Sequence, residues 1–96
     1  MKLYLAGPMR GIPDLNLPEF RRVTKLLRMS GHVTFSPGEL LDNEDRSALE
    51  TEMVWICRNA EGIALLKGWE ESKGACAEQA LGLALGILTR KWEEWI

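Results

Sequence analysis

The chain has 96 residues, of which 46% are hydrophobic and 27% charged, and its formal net charge is −2. These totals predict one globular domain over residues 1–96, and the scattered basic residues argue against a nucleic-acid partner. No apolar run reaches the roughly 18 residues that span a bilayer and the start lacks a secretory apolar region, so we expect a cytoplasmic protein without a membrane partner.

The first predicted elements are a strand, a loop and a helix. The apolar run Lys2–Ala6 indicates a buried strand, and the glycines and prolines that follow indicate a loop over residues 7–15. Apolar side chains recur at helical spacing between Leu17 and Met29, with basic residues on the other face. Asn16 suits the N-cap of this helix, and Gly31 suits the position just past its end.

The rest of the chain repeats this alternation of strands and helices. The predicted elements are a strand at 32–35, a helix beginning near Asp42 or Asn43 and ending near Asn59, a strand at 63–66, a helix at 74–86 capped by Ser72, a strand at 86–89 and a tail at 90–96.

This order predicts an α/β fold, a small flavodoxin- or Rossmann-like three-layer sandwich with a short parallel sheet of about four strands. Ligands of such sheets bind beyond the carboxyl ends of the strands, where the strand order reverses. The loops at 7–15 and 67–74 both follow strands. They should therefore share that edge, and they face each other if the first and third strands are neighbours.

The first loop has the features of an anion site. Gly7 allows a sharp turn and close approach to backbone N–H groups, and Arg10 offers a fork of donors that matches phosphate oxygens. The alternative is an ordinary strand-to-helix turn with a solvated arginine. Neither of the standard glycine-rich phosphate signatures is present.

The last predicted helix contains an isolated carboxylate. Glu78 is the one charged residue between Gly74 and Thr89, and small side chains surround it in the sequence. A carboxylate among apolar residues is costly to bury unless it is paired or functional. The alternative is that Glu78 and Gln79 form a thin solvated stripe on the helix.

Other candidates are weaker. Trp55 and Trp69 fit packing better than ligand stacking, and Tyr4, in the middle of a strand, is expected in the core. His32 is the one histidine, which argues against a histidine-rich metal site.

Two further groups complete the survey of reactive side chains. Asp42, Glu44 and Asp45 read as a surface loop, although they follow a strand and could reach a ligand at the same edge. Cys57 and Cys76 lie in apolar helical segments without a C-x-x-C pairing, so we expect reduced thiols in the core.

Together the segments YLAGPMRG and GWEESKGACAE resemble the nucleoside 2-deoxyribosyltransferase superfamily over residues 3–88. The closer likeness is to its small, uncharacterised bacterial and phage branch of DUF4406-like proteins. The superfamily also includes the 2′-deoxynucleoside 5′-monophosphate N-hydrolases, whose motif Ser-x-Gly-x-x-x-Glu matches Ser72, Gly74 and Glu78.

This resemblance implies roles for individual residues. Glu78 would be the catalytic nucleophile, and Tyr4 would orient it. The residues that would bind substrate and its 5′-phosphate are Gly7, Pro8, Met9, Arg10, Gly11, Ser72 and Gly74. The candidates for contacts to the base or ribose are Asn16, Glu52 and Trp69.

The chain departs from the superfamily at two places. The aspartate that the enzymes carry ahead of the third strand aligns with Met53, and the adjacent Glu50 and Glu52 should project differently from a helix. The larger enzymes also complete a neighbour's site with a longer C-terminal region, for which this sequence has no counterpart.

The resemblance implies cleavage or transfer of an N-glycosidic bond in a nucleoside or nucleotide, with water as acceptor in a hydrolase and a second base in a transferase. This implied mechanism requires neither a metal nor an organic cofactor. The alternatives are a module that binds a nucleotide or nucleotide-derived signal without cleaving it, and a protein that uses the fold for interaction alone.

We also expect a two-fold dimer, because Trp92, Trp95 and Ile96 place apolar side chains on one side of the tail. The other arrangement open to the tail is packing on its own sheet.

Overall fold

A four-stranded parallel sheet forms the centre of the protein, in a computed structural model that describes residues 1–37 and 46–96. The order is β2-β1-β3-β4, so β1 lies between β2 and β3. The strands are β1 (Lys2–Ala6), β2 (Val33–Phe35), β3 (Gly62–Leu65) and β4 (Leu88–Lys91). The helices are α1 (Leu17–Met29), α2 (Arg46–Asn59) and α3 (Lys73–Ala84). This arrangement confirms the predicted α/β sandwich.

The helices lie on both faces of the sheet. The chain leaves β1 toward β2, but it moves in the opposite direction from β2 to β3 and from β3 to β4. Right-handed crossovers then place α1 on one face and both α2 and α3 on the other. The core on the α1 side contains Leu3, Leu5, Phe20, Val23, Leu27, Ala64, Leu66 and Trp95. The core on the α2–α3 side contains Tyr4, Ala6, Ile56, Ile63, Leu65 and Ala75.

The element bounds agree closely with the sequence where local signals are strong. Both β1 and α1 have the predicted limits. The last strand begins at Leu88, two residues later than expected, because Gly86 turns the chain with φ 74° after α3 has ended. The predicted start of α2 near Asp42 or Asn43 falls outside the described residues, as do Glu44 and Asp45.

The end of the first loop differs from the prediction. Residues Pro13–Asn16 form a 3-10 turn, and Asp14, Leu15 and Asn16 all have positive φ. Asn16 occupies the position before α1 but caps no helical N–H group. Its side-chain Nδ2 instead donates to the carbonyl oxygen of Pro8 at 3.0 Å, which ties the two ends of the loop together.

The C-terminal tail packs on its own sheet. Residues Trp92–Trp95 form a 3-10 turn, and Trp95 is 8% exposed, with its ring over Gly62 where any side chain would collide. Its Nε1 donates to the carbonyl oxygen of Ile63 at 3.2 Å, and its own carbonyl oxygen accepts from His32 Nε2 at 2.7 Å. Of the two arrangements left open for the tail, the structure therefore shows packing on its own sheet.

The two cysteines are both free, but they differ in burial. Cys76 is half-buried, whereas Cys57 is exposed, so the expectation of a core thiol is wrong for Cys57. The reason is helical phase, because α2 turns Ile56 toward the sheet and the next residue away from it. Within the described residues, no helix combines the length and apolarity that a membrane crossing requires.

Candidate functional site

A cleft of about 1190 Å³ lies at the carboxyl edge of the sheet. The loop after β1 supplies residues 7–12 of its lining, and the segment after β3 supplies residues 67, 68 and 71–75. Because β1 and β3 are neighbours, these loops face each other at the point where the strand order reverses. The predicted juxtaposition of the two loops is confirmed.

A buried acidic cluster forms the floor of this cleft. Glu78 of α3 is 3% exposed and Glu52 of α2 is 7% exposed, and both line the cleft. The Tyr4 hydroxyl, from the middle of β1, donates a hydrogen bond of 2.6 Å to Glu78 Oε2. The Glu52 carboxyl group lies beside them, close enough to raise the pKa of both Glu78 and Tyr4. Three elements distant in sequence therefore converge on one pair of carboxyl groups.

The electrostatics of this cluster favour a retained proton. Burial raises the pKa of Glu78 to about 8, and the neighbouring Glu52 carboxyl raises it further, while the hydrogen bond from Tyr4 opposes the shift. Burial also raises the pKa of Glu52. The pKa of Tyr4 is raised well above its usual value, chiefly by burial and then by the charge of Glu78, so its hydroxyl stays a donor. At neutral pH the pKa of about 8 therefore favours a proton retained on the Glu78 carboxyl group.

The glycines around the cleft have different reasons to be glycine. A Cβ on Gly7 would lie 2.7 Å from Leu66 Cβ, and Gly11 has φ 81°, so packing explains the first and backbone conformation the second. Gly74 has ordinary φ, and a Cβ there would come no closer than 4.0 Å to Ser72 Oγ. Packing therefore does not require glycine at position 74. Its missing side chain leaves the backbone of the first turn of α3 uncovered toward the cleft.

The remaining residues of the predicted phosphate site lie around the cleft mouth. Arg10 is exposed and lines the cleft together with Met9. Ser72 is the N-cap of α3 as predicted, and its Oγ accepts from the backbone N–H of Ala75 at 3.2 Å. Pro8 is buried, and its Cγ would lie 3.2 Å from a Cβ on Gly68, so it joins the two loops.

The predicted base or ribose contacts divide into two groups. Asn16 and Glu52 line the cleft, although the Asn16 amide also bonds to the loop backbone. Trp69 is absent from the lining given by the described residues, and it packs against the core on the α2–α3 side. Glu52, and not Met53, faces the cleft from α2, so the expectation that Glu52 projects elsewhere is wrong.

The structure adds cleft residues that the sequence did not indicate. Trp92 and Glu93 of the C-terminal turn line the cleft, and so do Glu19 and Arg22 of α1. The Arg22 guanidinium lies over the Trp92 ring, 5.2 Å from its centroid. No local signal could have revealed this pairing, since it joins residues 70 positions apart (92 − 22) in the chain.

A metal centre has no support in the part of the chain that is described. Among residues 1–37 and 46–96, no three His, Cys, Asp or Glu side chains form a group that could hold a metal ion. The acidic cluster has two carboxyl groups and a phenol, which suits proton transfer and nucleophilic attack better than metal binding.

Fold and site define a small flavodoxin-like α/β protein with a carboxyl pair beneath a cleft at the reversal point of its sheet. The chain belongs to the family described as a domain of unknown function, DUF4406, which matches residues 1–89. No curated protein matches the chain. Trp92 and Glu93 lie beyond the part of the chain that the family match covers.

Proposed function

We propose that the protein cleaves or transfers the N-glycosidic bond of a nucleoside or nucleotide, with Glu78 as the nucleophile. The observation that carries this proposal is the 2.6 Å bond from Tyr4 to a buried Glu78 that has a second carboxyl group beside it. A place within the nucleoside 2-deoxyribosyltransferase superfamily is part of the proposal. It is supported by the spacing of Ser72, Gly74 and Glu78 and by the cleft that all three line.

In the proposed first step a Glu78 carboxylate oxygen attacks the anomeric carbon. The C1′–N bond breaks, its electron pair leaves with the base, and a glycosyl ester forms on Glu78. The Tyr4 hydroxyl holds the other carboxylate oxygen in place. Water then attacks the same carbon, gives a proton to the Glu52 carboxylate and regenerates the Glu78 carboxylate in a hydrolase. In a transferase a second base attacks instead and loses its N–H proton to Glu52.

Glu52 supplies the proton that this step requires. The free protein retains a proton on the carboxyl pair, because burial raises the pKa of both Glu78 and Glu52. When the proton resides on Glu52, Glu78 is the charged nucleophile and Glu52 can protonate the departing base. One retained proton on Glu52 would thus leave Glu78 charged for attack and also be available to the departing base.

The loops at the cleft mouth are the proposed phosphate site. The bare first turn of α3 at Gly74 presents backbone N–H groups at the positive end of a helix of 12 residues. Arg10 adds a guanidinium from the facing loop. A 5′-phosphate between these groups would leave the sugar above Glu78.

A binding module without turnover is the second candidate function. The specific observation in its favour is the pKa of about 8 for Glu78, since a protonated carboxyl group is a hydrogen-bond donor and not a nucleophile. In that case the acidic cluster would recognise an acceptor atom of the ligand.

Product analysis with a panel of nucleosides and nucleotides tests the proposal. We expect the wild-type protein to release free base, and Glu78→Gln to lose at least about 10³-fold of that rate. Glu50→Gln is the matched control, because Glu50 is an exposed carboxylate of α2 that does not line the cleft. Equal rates in wild type and Glu78→Gln would overturn the assignment. Ligand-dependent protection against melting without any product would establish the binding module.

A further inference from the structure

The cleft extends beyond the acidic floor to the opposite face of the sheet. Glu52 and Glu78 belong to helices on the α2–α3 side, whereas Arg22 lies on α1 and Trp92 follows β4. All four line one continuous cavity that passes over the carboxyl edge. Its volume of about 1190 Å³ is larger than the roughly 300–1,000 Å³ typical of sites for small ligands.

Four residues at the α1 end of the cavity form what we call the Trp92 subsite. They are Glu19, Arg22, Trp92 and Glu93. An aromatic ring carries a guanidinium above it, and the Nε atom of that guanidinium donates to Glu19 Oε2 at 3.2 Å. Planar groups of this kind stack on nucleobases, and carboxylates accept hydrogen bonds from sugar hydroxyls. Two carboxylates make the subsite unsuitable for a phosphate.

The same cavity carries cationic side chains. Arg10, Lys67 and Lys73 are exposed and line it, together with the Glu71 carboxylate and the uncovered backbone at Gly74. Bridging phosphates fit the cations and the helix N–H groups, because both favour anions. One cavity therefore contains an acidic pair, cationic groups and an aromatic subsite.

The Trp92 subsite is firmly attached to the fold. Trp92 itself is half-buried against the core on the α1 side, and Trp95 three residues later is anchored over Gly62. Glu19 and Arg22 lie within the family match, which ends at residue 89, whereas Trp92 and Glu93 lie beyond it.

We propose that the ligand is a dinucleotide, with two nucleosides joined through their 5′-phosphates. One nucleoside places its glycosidic bond at Glu78, the phosphates lie at Arg10 and Gly74, and the second nucleoside occupies the Trp92 subsite. This inference rests on the proposed function, since it names the class of substrate for the same site.

Calorimetric titration compares dinucleoside 5′,5′-diphosphates of adenosine, guanosine and cytidine with the matching nucleoside 5′-monophosphates. The titrations use the Glu78→Gln protein, so that no ligand is cleaved. We expect at least one dinucleotide to bind about tenfold or more tightly than its mononucleotide, in line with the stacking of one extra base. Trp92→Leu, which keeps an apolar side chain, should abolish the difference, and Trp92→Phe should retain it.

Each other outcome overturns the inference in a recognisable way. Equal affinities for dinucleotide and mononucleotide would show that the second nucleoside does not bind, and would leave the proposed function intact. An advantage that persists in Trp92→Leu would place the second nucleoside elsewhere. Failure of every ligand to bind, with melting curves that show each variant folded, would overturn the proposed function together with this inference.

Discussion

Glu78 carries a carboxyl group in a place where water cannot solvate its charge. The cost of ionisation appears as a pKa of about 8, which burial causes and which Glu52 increases. The hydrogen bond from Tyr4 offsets part of this cost by stabilising the charged form. In the proposed reaction, cationic character at the anomeric carbon would favour the charged form of Glu78, so proton loss from Glu78 would accompany bond cleavage.

The first prediction concerns the dependence of stability on pH. The pKa of Glu78 rises from 4.5 to about 8 on folding, so the folded state binds more protons than the unfolded chain between these values. The contribution of this proton to the free energy of unfolding is fully present below about pH 4.5. As pH rises toward 8, the free energy of unfolding should fall by on the order of 2–4 kcal/mol. Urea denaturation at pH 5.5 and pH 8 measures the loss.

Glu78→Gln is the control for that measurement, since its side chain has no proton to lose. We expect a flatter pH profile over this range and a variant more stable than wild type at pH 8. An unchanged slope in Glu78→Gln would show that the pH dependence arises at other groups.

The second prediction separates two glycines by their surroundings. Gly7→Ala places a Cβ 2.7 Å from Leu66 Cβ and should destabilise the fold by about 1–3 kcal/mol. Gly74→Ala places a methyl group in open space within a helix and should stabilise the fold by about 0.5–1 kcal/mol.

Nucleotide binding should nevertheless weaken in Gly74→Ala, because the methyl group covers the N–H groups of the first turn. Melting curves with and without a nucleoside 5′-monophosphate distinguish the two effects, and unchanged binding would exclude phosphate contact at this turn.

The third prediction concerns the cation of the first loop. Arg10→Ala should weaken binding of a nucleoside 5′-monophosphate by about ten- to hundredfold, the usual effect of losing a charge-assisted hydrogen bond. The matching nucleoside, which has no phosphate, serves as the control and should bind as before. Equal weakening of both ligands in parallel titrations would assign Arg10 a structural role.

At the scale of secondary-structure elements, the C-terminal turn connects the fold to the cleft. Trp95 fills the space that Gly62 leaves empty and donates to the backbone of β3, while Trp92 on the same turn reaches the cleft. The anchoring residue Trp95 and the cleft residue Trp92 are therefore separated by a single turn. Loss of the anchor should disturb both stability and the aromatic end of the cavity.

The fourth prediction follows from this anchor. Trp95→Ala removes a buried aromatic ring and should cost about 3–5 kcal/mol in the free energy of unfolding. Ile96→Ala, at an exposed neighbour, should change it by less than about 0.5 kcal/mol. Chemical denaturation of both variants measures the difference, and a loss below about 1 kcal/mol in Trp95→Ala would contradict the packing described here.

At the scale of the whole molecule, the two-fold dimer stays a prediction, with a different contact surface from the tail. Gly82 is buried against Ile63 and Thr89 of the protein's own sheet, so α3 uses this glycine within the subunit. Exposed large apolar side chains instead gather where α3 leads into β4, at Leu83, Leu85 and Leu88. The outer edge of β4 is also open to pairing, since β4 ends the sheet order.

The fifth prediction tests that surface. Light scattering should give twice the chain mass of 10.8 kDa for the wild type, and Leu85→Lys should give the mass of one chain. Met29→Lys, at an exposed apolar residue on the opposite face, is the matched control and should keep the dimer. A wild-type mass near 10.8 kDa at micromolar concentration would exclude a stable dimer.

The sequence by itself determined the elements whose signals are local. The apolar spacing between Leu17 and Met29, the uninterrupted apolar run of β1 and the Ser72 cap each depend on residues within a few positions of one another. The isolation of Glu78 in an uncharged helix was visible for the same reason. Alternation of strands and helices then restricted the topology, because parallel connections have a fixed handedness.

Tertiary structure alone decided which distant side chains meet. Helical phase in α2 turns Glu52 toward Glu78 and leaves Met53 aside, and a side-chain bond to Pro8 takes Asn16 away from the cap of α1. The tail is the clearest case, since its apolar pattern fits equally well on a second subunit or on its own sheet. The absence of a side chain at Gly62 decided between them, because it leaves a space that Trp95 fills. Such long-range complementarity of volume and hydrogen bonding has no periodic signature in a sequence.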